Sequence, residues 1–214
     1  MIKIRTLDEM QTALDHEMAW RIKEIGVFKV GAGGNGPQRK SFIRAGVALL
    51  YAHWEGFIKS SSEIYLSYVE SRALPYRDLK SCFVVFGLKG KINSLVESRK
   101  SVSNVEAMDF ILSKMDETAK LQIGSAINTD SNLTSKVFSN IAGSLNIDIS
   151  LYQTKFHLID SSLVERRNKV AHGEFLEIGG GDFSKLVDDM LGLMRLYKTD
   201  LENAASLESY KRVA

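Results

Sequence analysis

Apolar residues recur at three- and four-residue spacing through most of this chain, and strand-like alternation is scarce. That pattern predicts an all-α protein. The strongest run spans about Gln38 to Ala73. There Ile43, Val47, Leu50, Trp54, Phe57, Ile58, Tyr65 and Tyr68 fall on one broad face, and Pro75 stands just past its end, where a helix is expected to stop. A second long stretch follows Gly179-Gly180-Gly181. It sets Phe183, Leu186, Val187, Met190, Met194, Tyr197 and Leu201 on one face, with Asp182 as the expected cap.

Shorter elements fill the space between. The spacing predicts an N-terminal helix over Leu7 to Ile25, one from about Arg77 through Val84-Val85 to Glu97, and one capped by Asn104 that carries Met108, Ile111, Leu112 and Met115. Thr134 to Leu145 reads as a helix. So does Ile149 to Ala171, with a break expected near Asp160-Ser161-Ser162. Gly31 to Pro37 reads as a loop of about seven residues between the first two helices. No repeat or low-complexity tract interrupts the pattern. The expected product is a helical bundle with a long C-terminal helix. It forms one domain over 1–214, with an N-terminal helix and glycine-rich loop over 1–37 and a core over 38–212.

Composition narrows the function classes. The apolar fraction of 44% and charged fraction of 25% are those of an ordinary globular protein. A net charge of +2 means any nucleic-acid contact must come from a local patch. Two patches qualify: Arg39, Lys40 and Arg44, and Lys155, Arg166, Arg167 and Lys169. The single cysteine, Cys82, sits in the apolar run Cys82-Phe83-Val84-Val85-Phe86, so it reads as core, and no cysteine-rich metal site can form. Met1 to Met10 carries acids and no apolar leader, and no apolar stretch approaches the length of a membrane helix. A cytoplasmic location without membrane contact is the expectation.

The candidate chemistry lies in Leu163-Val164-Glu165-Arg166-Arg167-Asn168-Lys169-Val170-Ala171-His172-Gly173, which reads R-N-x-x-x-H at the end of a predicted helix. An imidazole titrates near neutral pH and can move a proton to or from a ribose or leaving oxygen. A guanidinium is permanently charged and forks onto phosphate oxygens. Asn168 adds an amide able to orient either group. The competing explanation is structural. His172 precedes Gly173, where a helix is expected to end in a left-handed residue, and a cation in the last turn is favoured by the helix dipole.

Other motifs fail on context. Gly31-Ala32-Gly33-Gly34-Asn35-Gly36 matches G-x-G-x-x-G, and Val27-Phe28-Lys29-Val30 before it could be a short strand. A dinucleotide site also needs a second strand ending in an acid about 20 residues on, and the next acid, Glu55, falls in mid-helix. His53-Trp54-Glu55 matches the H-x-E of zinc deaminases without their two cysteines. Asp116-Glu117 and Asp188-Asp189 point to different sides of their helices, so no metal pair is ready-made. Neither a cofactor nor a metal is implied.

Glu165 to Glu174 resembles the signature of the HEPN superfamily of helical ribonucleases. Arg44 to Phe57 resembles the central helix of a larger prokaryotic HEPN subgroup, and Lys198 to Ala204 resembles the end of the same subgroup. The likeness spans roughly residues 38 to 212. It implies a helical bundle that dimerises with its motif helices facing one another. It also implies metal-independent RNA cleavage, often as a toxin or phage-defence effector with a cognate antitoxin or defence-system partner. Carried onto this sequence, Arg167 and His172 are the catalytic pair and Asn168 the polar neighbour, with Arg166 and Lys169 beside them.

Positions five apart on a helix are about 140° apart around it, so Arg167 and His172 do not share one narrow stripe. A site composed across a homodimer would let them meet over one phosphate. On the central helix, Arg44, Tyr51, Glu55 and Ser62 fall on one flank by periodicity and His53 on the other side. Glu55 is expected to pair with Arg166 or Arg167. The expected function is an RNA endonuclease acting through attack of the 2′-hydroxyl. The alternative is a catalytically inactive HEPN-fold module that binds RNA or protein.

Overall fold

The computed structural model describes residues 4–97 and 100–212; the first three residues of the acidic N-terminal stretch and the last two of the chain lie outside them. Among the described residues every regular element is helical, with two isolated bridges, Pro75 to Thr118 and Leu79 to Lys211. The all-α expectation holds. In chain order the elements are α1 (Leu7–Gly33), α2 (Arg39–Ser71), a 3-10 turn (Tyr76–Asp78), α3 (Ser81–Glu97), α4 (Ser101–Ser113) and a 3-10 turn (Ile123–Ser125). They continue with α5 (Ser135–Ser144), α6 (Ser150–Gln153), a π-helical segment (Leu158–Val164), α7 (Glu165–Ala171) and α8 (Gly180–Ser206). No helix among the described residues is long and apolar enough to cross a membrane.

α1 opens on a capping box. Thr6 Oγ1 accepts from the Glu9 N–H at 3.1 Å and Glu9 Oε2 accepts from the Thr6 N–H at 3.2 Å, so two end donors are satisfied reciprocally. The helix then runs past its expected end at Ile25 as far as Gly33. Val27 to Val30 is therefore helical rather than a strand, and Gly31 to Pro37 is not a seven-residue loop; the connection is residues 34–38. The reason is close approach. A Cβ at Gly31 would lie 2.6 Å from the Phe42 ring, so glycine there lets the end of α1 close on α2. The G-x-G-x-x-G match thus begins inside a helix rather than after a strand, without the context a dinucleotide motif needs.

Two expected caps also move. Lys100 occupies the cap position of α4, which places Asn104 inside the helix, and Gly179 precedes α8, which places Asp182 in its first turn. There an acid still favours the positive end of the dipole. The stretch from Arg77 to Glu97 divides into the 3-10 turn and α3.

α1, α2 and α8 pack on one another and form the frame on which the rest is hung. Every apolar position expected on the inner faces of α2 and α8 is buried. At their centre Trp54 touches Phe138 (ring centroids 5.3 Å), and Phe138 touches Tyr152 (4.9 Å) and Tyr197 (5.6 Å). Such aromatic pairs add about 0.5–1.5 kcal/mol each beyond their buried area. The Tyr197 hydroxyl finds Ser62 Oγ at 2.8 Å, so its polar end is satisfied inside the core. Cys82 is half-buried among apolar neighbours, and burial pushes its thiol up from the usual range.

His53 is part of this packing rather than a metal ligand. It is buried between α1 and α2, edge-on to Trp20 (5.1 Å), with Nε2 2.9 Å from Glu24 Oε2 but not aligned as a hydrogen bond. Burial lowers its pKa; Glu24 opposes the shift, and the buried Arg21 guanidinium reinforces it. A histidine held neutral in the fold binds fewer protons than in the unfolded chain. Its contribution to stability is therefore present above its ordinary pKa of 6.5 and is lost as pH falls below that value. Urea unfolding midpoints should fall between pH 7.5 and pH 5, and the fall should be shallower in His53→Gln; equal slopes in the two proteins would remove His53 as the source.

Candidate functional site

The motif helix owes its position to an irregularity two turns earlier. The predicted helix over Ile149 to Ala171 is broken earlier than expected, at the turn residues Thr154 and Lys155 that follow α6. Asp160-Ser161-Ser162 stays helical within the π-helical segment, whose wider turns feed directly into α7. Asp160 is drawn out of it to serve another helix. Its Oδ1 accepts from the Ser135 N–H at 2.7 Å and its Oδ2 from the Ser135 hydroxyl at 2.6 Å. The carboxylate thus satisfies one of the free donors at the start of α5 and sits at the positive end of its dipole. Ile159, Leu163 and Val164 stay buried on the other side. π turns of this kind recur near functional sites because they re-aim the residues that follow.

α7 packs on α2 and presents Arg167 to it. The Arg167 guanidinium carbon lies 3.9 Å from the centroid of the Tyr51 ring, and Nη2 donates to Asn132 Oδ1. Nε is buried without a partner. Tyr51 is only 4% exposed and is itself fixed, because its hydroxyl accepts from the Leu133 N–H at 2.8 Å. Burial raises the Tyr51 pKa; the bond from Leu133 and the adjacent Arg167 cation pull the other way. The hydroxyl therefore stays protonated at neutral pH, and the ring serves as a rigid plate under the guanidinium. Cation–π contact is worth roughly 0.5–2 kcal/mol depending on how far the pair is desolvated.

The other end of α7 is set by Gly173. Its φ of +74° is the left-handed conformation, its N–H reaches the Val170 carbonyl at 3.2 Å, and the Glu174 N–H reaches the Lys169 carbonyl at 2.8 Å. These two backbone bonds complete a Schellman cap. His172 is the C-cap residue, with its N–H on the Asn168 carbonyl at 2.9 Å and its side chain exposed. The cap needs nothing from the imidazole. Arg167 faces inward and His172 outward, as their spacing requires, and no hydrogen bond or ring contact joins the two among the described residues.

The remaining residues singled out in the sequence divide. Arg44 comes to the motif from α2, where Nη1 donates to the Glu174 carbonyl at 2.6 Å and ties down the chain after His172. Arg39 and Lys40 line a cleft with residues 175–179 of the same segment. The two basic patches, far apart in sequence, thus flank one short helix end. Lys169 pairs with Glu165 along α7 at 3.0 Å, while Arg166 and Asn168 are half-buried on it. Glu55 does not pair with Arg166 or Arg167: its Oε1 accepts from the Thr129 hydroxyl at 2.6 Å, and Asn132 takes the arginine instead. Ser62 lies further along α2, in the core with Tyr197.

Asn132 was missed, since it lies in an irregular segment 35 residues before Arg167 and no periodicity points to it. Tyr51 was visible by spacing, but not as the residue on which Arg167 stacks. Among the described residues no three His, Cys, Asp or Glu side chains converge to hold a metal. Asp116 pairs with Arg77, Glu117 with Lys114 at 2.7 Å, and Asp188 with Lys29 at 2.6 Å. A larger cleft of about 770 Å3 opens near the other end of α2, but its walls carry Asp8, Glu9, Glu17 and Glu63. That rim suits no polyanion.

A family model described as RiboL-PSP-HEPN matches residues 16–203. No curated protein and no solved structure gave a match. The matched span begins within α1 and ends within the last turns of α8, so it takes in the helical frame, the π-helical segment and the whole of α7. The chain therefore belongs to the RiboL-PSP-HEPN family, within the HEPN superfamily that its R-N-x-x-x-H motif resembles.

Proposed function

We propose that this protein is a metal-independent RNA endonuclease in which Arg167 and His172 act on one phosphate. The observation that carries the reading is the division of α7. One end holds a guanidinium braced by Tyr51 and Asn132, and the other holds an exposed imidazole on a cap that does not use it. A structural histidine would be expected to make contacts; this one is exposed, two positions before the Glu174 carbonyl that Arg44 holds.

In the proposed reaction the ribose 2′-oxygen attacks the adjacent phosphorus. The 2′-O–P bond forms, the P–O5′ bond breaks, and the products carry a 2′,3′-cyclic phosphate and a free 5′-hydroxyl. One His172 takes the 2′-hydroxyl proton, and the leaving 5′-oxygen takes one from water. Arg167 stabilises the charge that gathers on the phosphorane oxygens, an effect typically worth about 2.7–4 kcal/mol per lost donor. Arg167 and His172 face different sides of α7, so their meeting over one phosphate requires two chains, and the active unit is a homodimer whose twofold axis passes between the two copies of α7. Such an enzyme fits a toxin or phage-defence role, held in check by an antitoxin or defence-system partner.

One observation favours the competing reading of an inactive RNA- or protein-binding module: the Arg167 guanidinium is already engaged within its own chain. Experiment separates the two. Purified protein should cleave RNA in EDTA, leaving 2′,3′-cyclic ends. His172→Ala should abolish cleavage while changing stability by no more than about 0.5 kcal/mol, as expected of an exposed side chain. Cleavage that appears only with added metal would sink the mechanism.

The plate under Arg167 can be tested apart from its hydroxyl. Tyr51→Leu should lower kcat about two- to thirty-fold, the range a lost cation–π contact supports. Tyr51→Phe should keep most of kcat but lose stability by about 1–3 kcal/mol, because the buried Leu133 N–H loses its acceptor. Equal kcat in the two variants would argue that the ring does not position the guanidinium.

Mixing tests the composite site. Arg167→Ala and His172→Ala chains, each inactive alone, should regain activity when co-refolded, since a heterodimer keeps one intact pairing. Full activity from a species that sediments as a monomer would refute the two-chain arrangement.

A further inference from the structure

We infer that Phe175, with Lys40 and the cleft beneath it, is the subsite that takes an unpaired base of the RNA strand next to the cleaved phosphate. The inference rests on the ribonuclease reading and narrows its substrate to single-stranded RNA at the point of cleavage. Phe175 is 73% exposed, in the segment that joins the cap of α7 to α8. That segment is held in place at its start by the Gly173 cap and by Arg44 on the Glu174 carbonyl. Phe175 stands three positions after His172, with only Gly173 and Glu174 between them, a reach of at most about 11 Å of chain. A nucleotide flanking the reacting phosphate lies within that reach.

The surroundings fit a nucleotide. Phe175 borders a cleft of about 220 Å3 lined with Arg39, Lys40, Ile43 and Ile178, with Glu177 its one acid. That volume falls below the roughly 300–1,000 Å3 of sites for whole drug-sized ligands, so it suits a single ring system rather than a cofactor. Arg39 is tied by Nε to the Ala32 carbonyl at 3.1 Å, a fixed cation at the end of α1. Lys40 is exposed and makes no ion pair among the described residues, so its ammonium is free to meet a phosphate.

The ring itself sets Phe175 apart from other exposed apolar side chains. Trp20 is stacked by Arg21 and His53, and Phe110 is covered by Lys91 and Lys114. Among the described residues no ring or cation contacts Phe175, so its face is open. Aromatic plates beside backbone-binding cations are how proteins hold single strands, since every base offers a π-face whatever its sequence. A base inside an A-form duplex cannot reach such a plate, because it is already stacked and paired.

The test uses the full chain carrying His172→Ala, so that binding is read without cleavage. Fluorescence anisotropy would follow a short labelled single-stranded RNA and the same strand annealed to its complement. Adding Phe175→Ala or Phe175→Leu should weaken single-strand binding about ten-fold or more, the scale of one lost base stack, while Phe175→Trp should retain it. Duplex affinity should be indifferent to all three. The subsite falls if Phe175→Leu binds the single strand as tightly as the parent, since apolar bulk rather than stacking would then suffice. It falls equally if Phe175→Ala dissociates a dimer in sedimentation without weakening RNA binding, for the ring would then be a contact between copies. A wild-type protein that neither cleaves nor binds RNA ends the ribonuclease reading and this inference together. Wild-type cleavage with Phe175→Leu unchanged in both activity and binding ends the inference alone.

Discussion

A permanently charged guanidinium lodged between two helices is the constraint around which this fold is arranged. Arg167 cannot shed its charge, and taking it partly out of water costs several kcal/mol unless neighbours replace the lost hydration. The protein supplies a π-face from Tyr51 and an amide oxygen from Asn132, no carboxylate pairs with the guanidinium among the described residues, and Nε stays unsatisfied. Glu55, four residues beyond Tyr51 on α2, is held by Thr129 instead. A carboxylate fork would have been the more stabilising partner, and it would also have neutralised the charge. Neutral braces fix the direction of the guanidinium while leaving its positive field intact for an anion. An imperfectly satisfied cation is tolerable in a protein whose large buried core supplies the stability.

That arrangement depends on the π-helical segment. A regular helix through Leu158 to Val164 would deliver α7 to α2 at a different rotation, and Asp160 could not also reach Ser135. One carboxylate thereby links the start of α5 to the run-in of the motif helix. α5 carries Phe138, the hub of the aromatic cluster with Trp54, Tyr152 and Tyr197, so the run-in to α7 is tied to a fully buried part of the core. Rigid support matters because electrostatic stabilisation of a transition state works only if the charge is already in place when the reaction begins.

What the sequence disclosed follows from range. α2 and α8 are long, strongly amphipathic and buried on one face, and their inner residues could be named from spacing alone. An irregularity at Asp160-Ser161-Ser162 was legible, but not its form, since a π turn keeps the helical pattern while changing its pitch, and the break at Thr154-Lys155 was not foreseen. Gly31 misled because a glycine that permits close packing on Phe42 looks in sequence like a glycine that ends a helix. Asn104 and Asp182 misled because residues that cap helices also favour their first turns. Arg167 and His172 could be singled out because their chemistry lies within five residues, and Gly173 because the cap is local. Asn132 and the true partner of Glu55 were invisible, since those contacts bridge 35 and 74 residues and no pattern within one element encodes them.

The same distinction between local and distant contacts bears on how the two ends of α7 share their work. Its seven residues are too few to hold a helical shape by propensity alone, since isolated helices shorter than roughly 12–15 residues are marginal in water. Its inner end is stabilised by contacts with α2 and the segment before α5, its outer end by two backbone bonds at Gly173. The cap constrains the backbone at His172 and leaves the imidazole free. A side chain with no intramolecular role, on a backbone that is held firmly, is pre-positioned without being committed to a partner in its own chain. Arg167 is the reverse, a side chain held by the Tyr51 ring and Asn132 within its own chain. A phosphate that engages both must come to the surface where α7 ends, and that surface is the one on which Arg44, Lys40 and the Phe175 ring converge from α2 and the following segment.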